Sequence, residues 1–188
     1  MNDEKDGAPK GWSTIPESIL SGVRVVLYEP QDPVNIAATI RAMKNMGCSD
    51  LYLVRSVEYD PWRLEGIAHD TGDIIKRIRD CDTIEEALDG VVRVAGFTAR
   101  RRAAKRDLTN PKAASIELLD FARNGPVAVL FGREDKGLPN EILDRAHVVV
   151  TIPTTGHASL NLAQAVLISL YELHLSAADA TQNFTLIP

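Results

Sequence analysis

The sequence predicts a single α/β domain with a mainly parallel sheet and helices on both faces, and three observations lead there. Apolar runs of strand length alternate with stretches of helical periodicity, the order that βαβ units produce. The run Pro126-Val127-Ala128-Val129-Leu130-Phe131 is apolar without a break, as in a strand covered on both faces. Polar turns follow the strands at their carboxyl ends, where an open α/β sheet holds its ligands.

At 188 residues, 45% hydrophobic and 25% charged, the chain has the composition and length of one globular domain. Residues 23–175 are expected to form it, with a loose arm over residues 1–22 and a short tail over residues 176–188. The first strand is Val23 to Tyr28. Asp32 is placed to cap the helix that follows, Pro33 to open it and Gly47 to end it, with Ile36, Ile40 and Met43 on its buried stripe. Asn35 and Arg41 flank that stripe about 120° apart around the axis. Asp50 to Val54 is the second strand, which completes a βαβ unit.

Pro61 to Arg79 reads as one or two helical pieces broken at Gly66 and Gly72. Thr83 and Glu86 have the spacing of a capping box on a short helix to Leu88. Val91 to Ala95 is the third strand, and Gly96-Phe97-Thr98-Ala99 leads from it into a basic run. Pro111 to Ala122 is a helix, followed by the strand that ends at Phe131. The turn Gly132-Arg133-Glu134-Asp135-Lys136-Gly137-Leu138 comes next, and Pro139 opens a short helix. His147 to Ile152 is the last strand. Pro153 to His157 is a turn, and a helix from Ser159 to Leu175 is apolar on nearly every side. A helix of that kind is buried all round, so one face is expected on the sheet and another on a second subunit of a homodimer.

Several function classes are disfavoured. The turn after the first strand, Glu29-Pro30-Gln31-Asp32-Pro33, holds no glycine, against a dinucleotide fingerprint, and no phosphate-binding GxxxxGK[ST] loop occurs. The four histidines lie in no metal-binding pattern, so no metal is expected. Cys48 and Cys81 stand far apart and read as reduced thiols. No apolar run approaches the roughly 20 residues of a membrane span, and residues 1–22 carry no signal-peptide core, which together suggest a cytoplasmic protein. The net charge of −5 hides an asymmetry. Arg100, Arg101, Arg102, Lys105 and Arg106 fall within seven positions, leaving 16 basic against 26 acidic residues elsewhere. That cationic spot on an acidic body suits a nucleic-acid phosphate. Small residues at the ends of the last three strands leave backbone groups free to clasp an adenosine, with Gly132 permitting close approach.

Three segments, in order, resemble the signature motifs of the SpoU/TrmH branch of SPOUT RNA methyltransferases. They are Asn35-Ile36-Ala37-Ala38-Thr39-Ile40-Arg41-Ala42-Met43-Lys44, then Phe131-Gly132-Arg133-Glu134-Asp135-Lys136-Gly137-Leu138, then Ile152-Pro153 through Ser159-Leu160-Asn161-Leu162-Ala163. The resemblance covers about Val23 to Leu173 and is most marked to branch members that methylate a ribose 2′-hydroxyl in the tRNA anticodon loop, at cytidine or uridine 32. It implies a SPOUT-type domain whose C-terminal part forms a deep trefoil knot, S-adenosylmethionine as cofactor, and a homodimer with active sites at the subunit boundary. Ribosomal RNA (rRNA) or another tRNA position is the alternative substrate, and an RNA-binding module without activity the alternative function.

By the same resemblance Arg41 matches the catalytic arginine, holding the RNA and orienting the 2′-hydroxyl. Asn35 positions Arg41 or the ribose, and Glu134 orients one of them from a neighbouring loop. Ser159 and Asn161 match the third motif; Ser159 also suits a helix N-cap, and Asn161 within an apolar helix needs a hydrogen-bond partner. Thr98, Gly132, Ile152 and Leu160 correspond to the cofactor pocket. Arg100, Arg101, Arg102, Lys105 and Arg106 are expected to bind RNA.

Overall fold

The structure, a computed structural model, describes residues 18–100 and 108–178. The N-terminal arm up to residue 17, the basic residues Arg101, Arg102, Lys105 and Arg106, and the tail beyond residue 178 lie outside the described residues. Seven strands form one sheet: β1 (Val23–Tyr28), β2 (Asp50–Val54), β3 (Arg79–Cys81), β4 (Arg93–Phe97), β5 (Leu108–Thr109), β6 (Val127–Phe131) and β7 (Val148–Val150). Their order is β3-β2-β1-β6-β4-β7-β5, and every named pairing is parallel. The chain builds outward from β1 to β3 on one side, then returns to build the other side from β4 onward. The sheet therefore changes direction between β1 and β6, the kind of place where a crevice opens beyond the strand ends.

Alternation along the central strands accounts for the two covered faces. Val23, Val25 and Leu27 of β1 and Val127, Val129 and Phe131 of β6 join one core, while Val26, Tyr28, Ala128 and Leu130 join the other. The larger core lies under α1 (Pro33–Met46), α2 (Pro61–Ala68), α3 (Gly72–Ile75), α5 (Pro111–Phe121) and α7 (Leu162–Ala177). The opposite face is covered by α4 (Ile84–Leu88) and α6 (Asn140–Leu143). Ile36, Ile40 and Met43 of α1 are fully buried, each stabilising the fold by roughly 1.5–3 kcal/mol.

The first helix follows its sequence signals closely. Asp32 accepts the Val34 amide at its side chain, Pro33 opens the first turn, and Gly47 ends the helix at φ 80°. The Glu86 amide reaches Thr83 Oγ1 at the start of α4, as the capping-box spacing predicts, but the Glu86 carboxylate returns to the Asp82 amide.

Other boundaries differ. The stretch from Pro61 to Arg79 holds two helices and the start of β3, a strand with too few apolar residues to show in the pattern; α2 runs straight through Gly66. The third strand is Arg93–Phe97 rather than Val91 to Ala95, because Gly96 and Phe97 keep pairing with β6 and β7. The two-residue β5 is likewise unmarked in sequence. The last strand is shorter than predicted, Val148–Val150. Finally α7 begins at Leu162, not Ser159, since Asn161 rather than Ser159 caps it by accepting the Gln164 amide at 3.2 Å.

Candidate functional site

The loops leaving the carboxyl ends of β4, β6 and β7 enclose a cavity of about 800 Å³. Phe97 and Phe131, the last residues of β4 and β6, stack at its floor with ring centroids 4.5 Å apart and planes 21° from parallel. Thr98, Gly132, Ile152 and Leu160, the four positions expected to hold a cofactor, all line it, as do Glu134 and Ser159. The volume, and the mixture of an aromatic floor with charged residues such as Glu29, Arg100 and Glu134, fit a small-molecule or cofactor site.

Gly132 is required by packing. A Cβ there would stand 2.1 Å from the carbonyl carbon of Gly137 and 2.2 Å from the Leu138 nitrogen, both backbone. The turn closes on itself through the Gly137 amide donating to Arg133 O at 2.8 Å, with Gly137 at φ 68°. Within the turn the Arg133 guanidinium forks onto Asp135, Nε to Oδ1 at 2.9 Å and Nη2 to Oδ2 at 3.0 Å. That hydrogen bond holds the Asp135 carboxyl below its ordinary range. The loop after β4 contributes Thr98, whose amide donates to Val150 O at 2.9 Å and whose carbonyl accepts Thr151 Oγ1 at 3.0 Å.

Three predicted polar residues are joined by hydrogen bonds beside the cavity, and of these Glu134 lines it. Glu134 accepts the backbone amides of Gln31 (2.9 Å) and Asp32 (3.2 Å), which open α1, together with Nδ2 of Asn35 at 3.2 Å. Asn35 Oδ1 in turn accepts Nδ2 of Asn161 at 2.9 Å, and Asn161 Oδ1 accepts the Gln164 amide. An ionised carboxylate only accepts, so the direction of every bond in this chain is fixed from Glu134 outward. The requirement that Asn161 find a partner is met by the helix cap and by Asn35. Glu134 thus bonds Asn35, while the Arg41 bond runs to Ala68 O.

Arg41 stands apart. Six residues beyond Asn35 on α1, it is about 9 Å further along the axis, exposed, and donates from Nη1 to Ala68 O at 3.4 Å, at the end of α2. Ser159 is exposed on the segment leading into α7. Of the basic run, the described residue is Arg100, whose guanidinium Nη2 donates to Lys136 O (2.5 Å) and Leu138 O (3.0 Å).

Residues 22–171 match the model of the SpoU rRNA Methylase family. The chain belongs to that family. Among relatives, it is 37% identical over 166 residues to the tRNA (cytidine/uridine-2′-O-)-methyltransferase TrmJ of Sodalis glossinidius, covering 88% of this chain and 65% of that protein. The chain therefore spans just under two thirds of the length of this TrmJ relative. A probable methylase family protein from Haemophilus influenzae has a similar structure, with TM-score 0.78, 35% identity and coverage of 84% of this chain and 67% of that one. An AdoMet-bound rRNA methyltransferase from Sinorhizobium meliloti matches with TM-score 0.63 and 27% identity over 86% of this chain and 58% of that one.

Within this SpoU-family site, several participants carry no sequence signal. The amides of Gln31 and Asp32 are invisible as ligands of Glu134 until the loops after β1 and β6 are side by side. Glu29, a cavity-lining residue held at φ 52°, bridges Arg55 at 2.8 Å and Arg133 at 3.7 Å. The Phe97–Phe131 floor likewise emerges only with the fold, which extends β4 to Phe97 and pairs it with β6.

Proposed function

We propose that this chain is an S-adenosylmethionine-dependent RNA methyltransferase that acts on a ribose 2′-hydroxyl, in the tRNA anticodon loop at cytidine or uridine 32. The observation that carries the reading is the Glu134–Asn35–Asn161 chain beside the cavity that Glu134 lines. The TrmJ relative supports the tRNA substrate, and the AdoMet-bound relative of similar fold supports the cofactor.

The residues present fit that cofactor. The close approach of Gly132 to Gly137 leaves backbone in place of side chain along one wall, and the stacked pair Phe97 and Phe131 gives an apolar floor. Thr98, Gly132, Ile152 and Leu160 would hold it, largely through main-chain groups. When bound, its sulfonium supplies an already activated methyl group. What remains for the protein is alignment, an effect that can supply about 7–11 kcal/mol, and help in removing the hydroxyl proton. Asn35 and Asn161, held rigid by Glu134, are placed to orient the ribose, and Ser159 to border its entry.

Arg41 is assigned to the RNA phosphate and to orienting the 2′-hydroxyl, since a guanidinium offers five N–H donors and no acceptor. Within one chain it bonds the end of α2 and not the relay, so we assign its partner site to a second subunit. The helices α1 and α7 pack together, and α7 leaves Leu167, Tyr171 and Leu175 at 38–48% exposure, one apolar stripe at helical spacing. Burial of that stripe in a homodimer brings α1, and Arg41 on it, to the subunit boundary. The knotted C-terminal topology implied by the family resemblance is part of the same proposal, as is contact of Arg101, Arg102, Lys105 and Arg106 with RNA.

The rRNA reading has its own support in the family description and in the rRNA methyltransferase relative. Methyl transfer from labelled donor into separated tRNA and rRNA fractions decides between them, with Arg41→Ala as control. Label in tRNA that vanishes with Arg41→Ala upholds the proposal. Label confined to rRNA replaces the substrate, and RNA binding without any label reduces the protein to a silent module.

A further inference from the structure

We infer that Arg100 is a positioning residue of the donor cavity rather than a phosphate ligand, stapling together the loops that form its walls. The inference rests on the reading of the cavity as the donor site. Both bonds of its Nη2 run to carbonyls of the turn after β6, Lys136 O at 2.5 Å and Leu138 O at 3.0 Å. Its own amide donates to Thr98 Oγ1 at 3.1 Å, and Thr98 is tied to Val150 at the end of β7 and to Thr151 just after it. One continuous hydrogen-bonded path thus crosses from the end of β7, through the end of β4, to the turn after β6. These are the three loops that enclose the cavity.

The geometry also explains why an arginine stands there. A guanidinium nitrogen carries two N–H groups that diverge in a plane and can serve two carbonyls two residues apart. The turn it grips is the one made tight by Gly132 and Gly137, and an added Cβ at Gly137 would lie 3.7 Å from Arg100 Nη2. Transfer of the guanidinium to a phosphate would strip the partly buried Leu138 carbonyl of this donor. The sequence places Arg100 at the head of a basic run; its contacts give it a different task.

The test compares full-length wild type, Arg100→Met and Arg100→Lys by titration calorimetry with S-adenosylhomocysteine, and separately by tRNA binding across a salt series. The expected result is an approximately tenfold weaker Kd for S-adenosylhomocysteine in Arg100→Met, partly restored in Arg100→Lys, which can still serve one carbonyl. In turnover the KM for the donor rises while kcat and the KM for RNA stay within about twofold. The salt slope of tRNA binding is unchanged. An unaltered S-adenosylhomocysteine Kd overturns the inference, and so does a salt slope smaller by about 0.7–0.9, which makes Arg100 a phosphate ligand. Absence of S-adenosylhomocysteine binding in wild type overturns the reading of the cavity itself, and this inference with it. Should Arg100→Met fail to fold, Arg100→Lys carries the same comparison.

Discussion

Asn35 Nδ2 donates to Glu134 Oε1 at 3.2 Å across 99 residues of sequence, and this bond joins the first helix to the turn after the central strand. Glu134 simultaneously takes two backbone amides at the start of α1. Glu134→Ala is expected to lower stability by about 1–2 kcal/mol, the range for losing charge-assisted bonds at a partly exposed site. Methyl transfer should fall at least a hundredfold, because Asn35 and Asn161 lose their fixed orientation. Urea denaturation and single-turnover transfer measure the two effects; full activity in a destabilised variant would reduce Glu134 to a structural clamp.

Arg41→Ala should differ in stability but not in its loss of activity. The side chain is exposed and makes one long bond to Ala68 O, so stability should change by less than about 0.5 kcal/mol. Activity is expected to drop at least a hundredfold. A variant that retains transfer would remove Arg41 from the mechanism.

Gly132→Ala forces a methyl into backbone 2.1 Å away. Backbone cannot yield as a flexible side chain does, so the turn must open, at a cost of about 2 kcal/mol or more. Donor affinity and melting temperature should fall together. Wild-type values for both would mean that the turn accommodates a side chain.

Burial, reinforced by nearby Asp50, pushes the Cys48 thiol from 9.0 up to about 12. The folded state therefore favours the protonated thiol. Its contribution is complete below pH 9 and is lost as pH climbs from about 9 to 12. Cys48→Ala should flatten the alkaline arm of a stability–pH curve over that interval. In native protein at pH 8, Ellman's reagent should titrate no more than Cys81, which is half-buried, and should reach both thiols only in denaturant. Rapid reaction of two thiols without denaturant would contradict the packing around Cys48.

Tyr171→Glu places a charge in the exposed stripe of α7 formed with Leu167 and Leu175. Light scattering should show wild type as a dimer and Tyr171→Glu as a folded monomer without activity. A wild-type monomer that is fully active would remove the shared-site part of the proposal.

The local physics of the chain was enough to set the sheet, its parallel character and most helices. Uninterrupted apolar runs such as Val127–Phe131 need cover on both faces, and helix signals such as Asp32, Pro33 and Gly47 act within a single turn of chain. Motif residues could be named from their resemblance to a family, and Asn161 could be flagged as a polar group in need of a partner. Short or polar elements escaped, among them β3 and β5, because two or three paired residues are stabilised by their neighbours in the sheet rather than by their own composition.

Only the tertiary structure decided who bonds to whom. Whether Glu134 would hold Asn35 or Arg41, and whether Arg100 would face a phosphate or the carbonyls of Lys136 and Leu138, depends on which loops the parallel sheet sets side by side. Hydrogen bonds act over about 3 Å, whereas the residues they join here lie 36 to 126 positions apart in the chain. Sequence spacing therefore carries no measure of those contacts until the strands have paired.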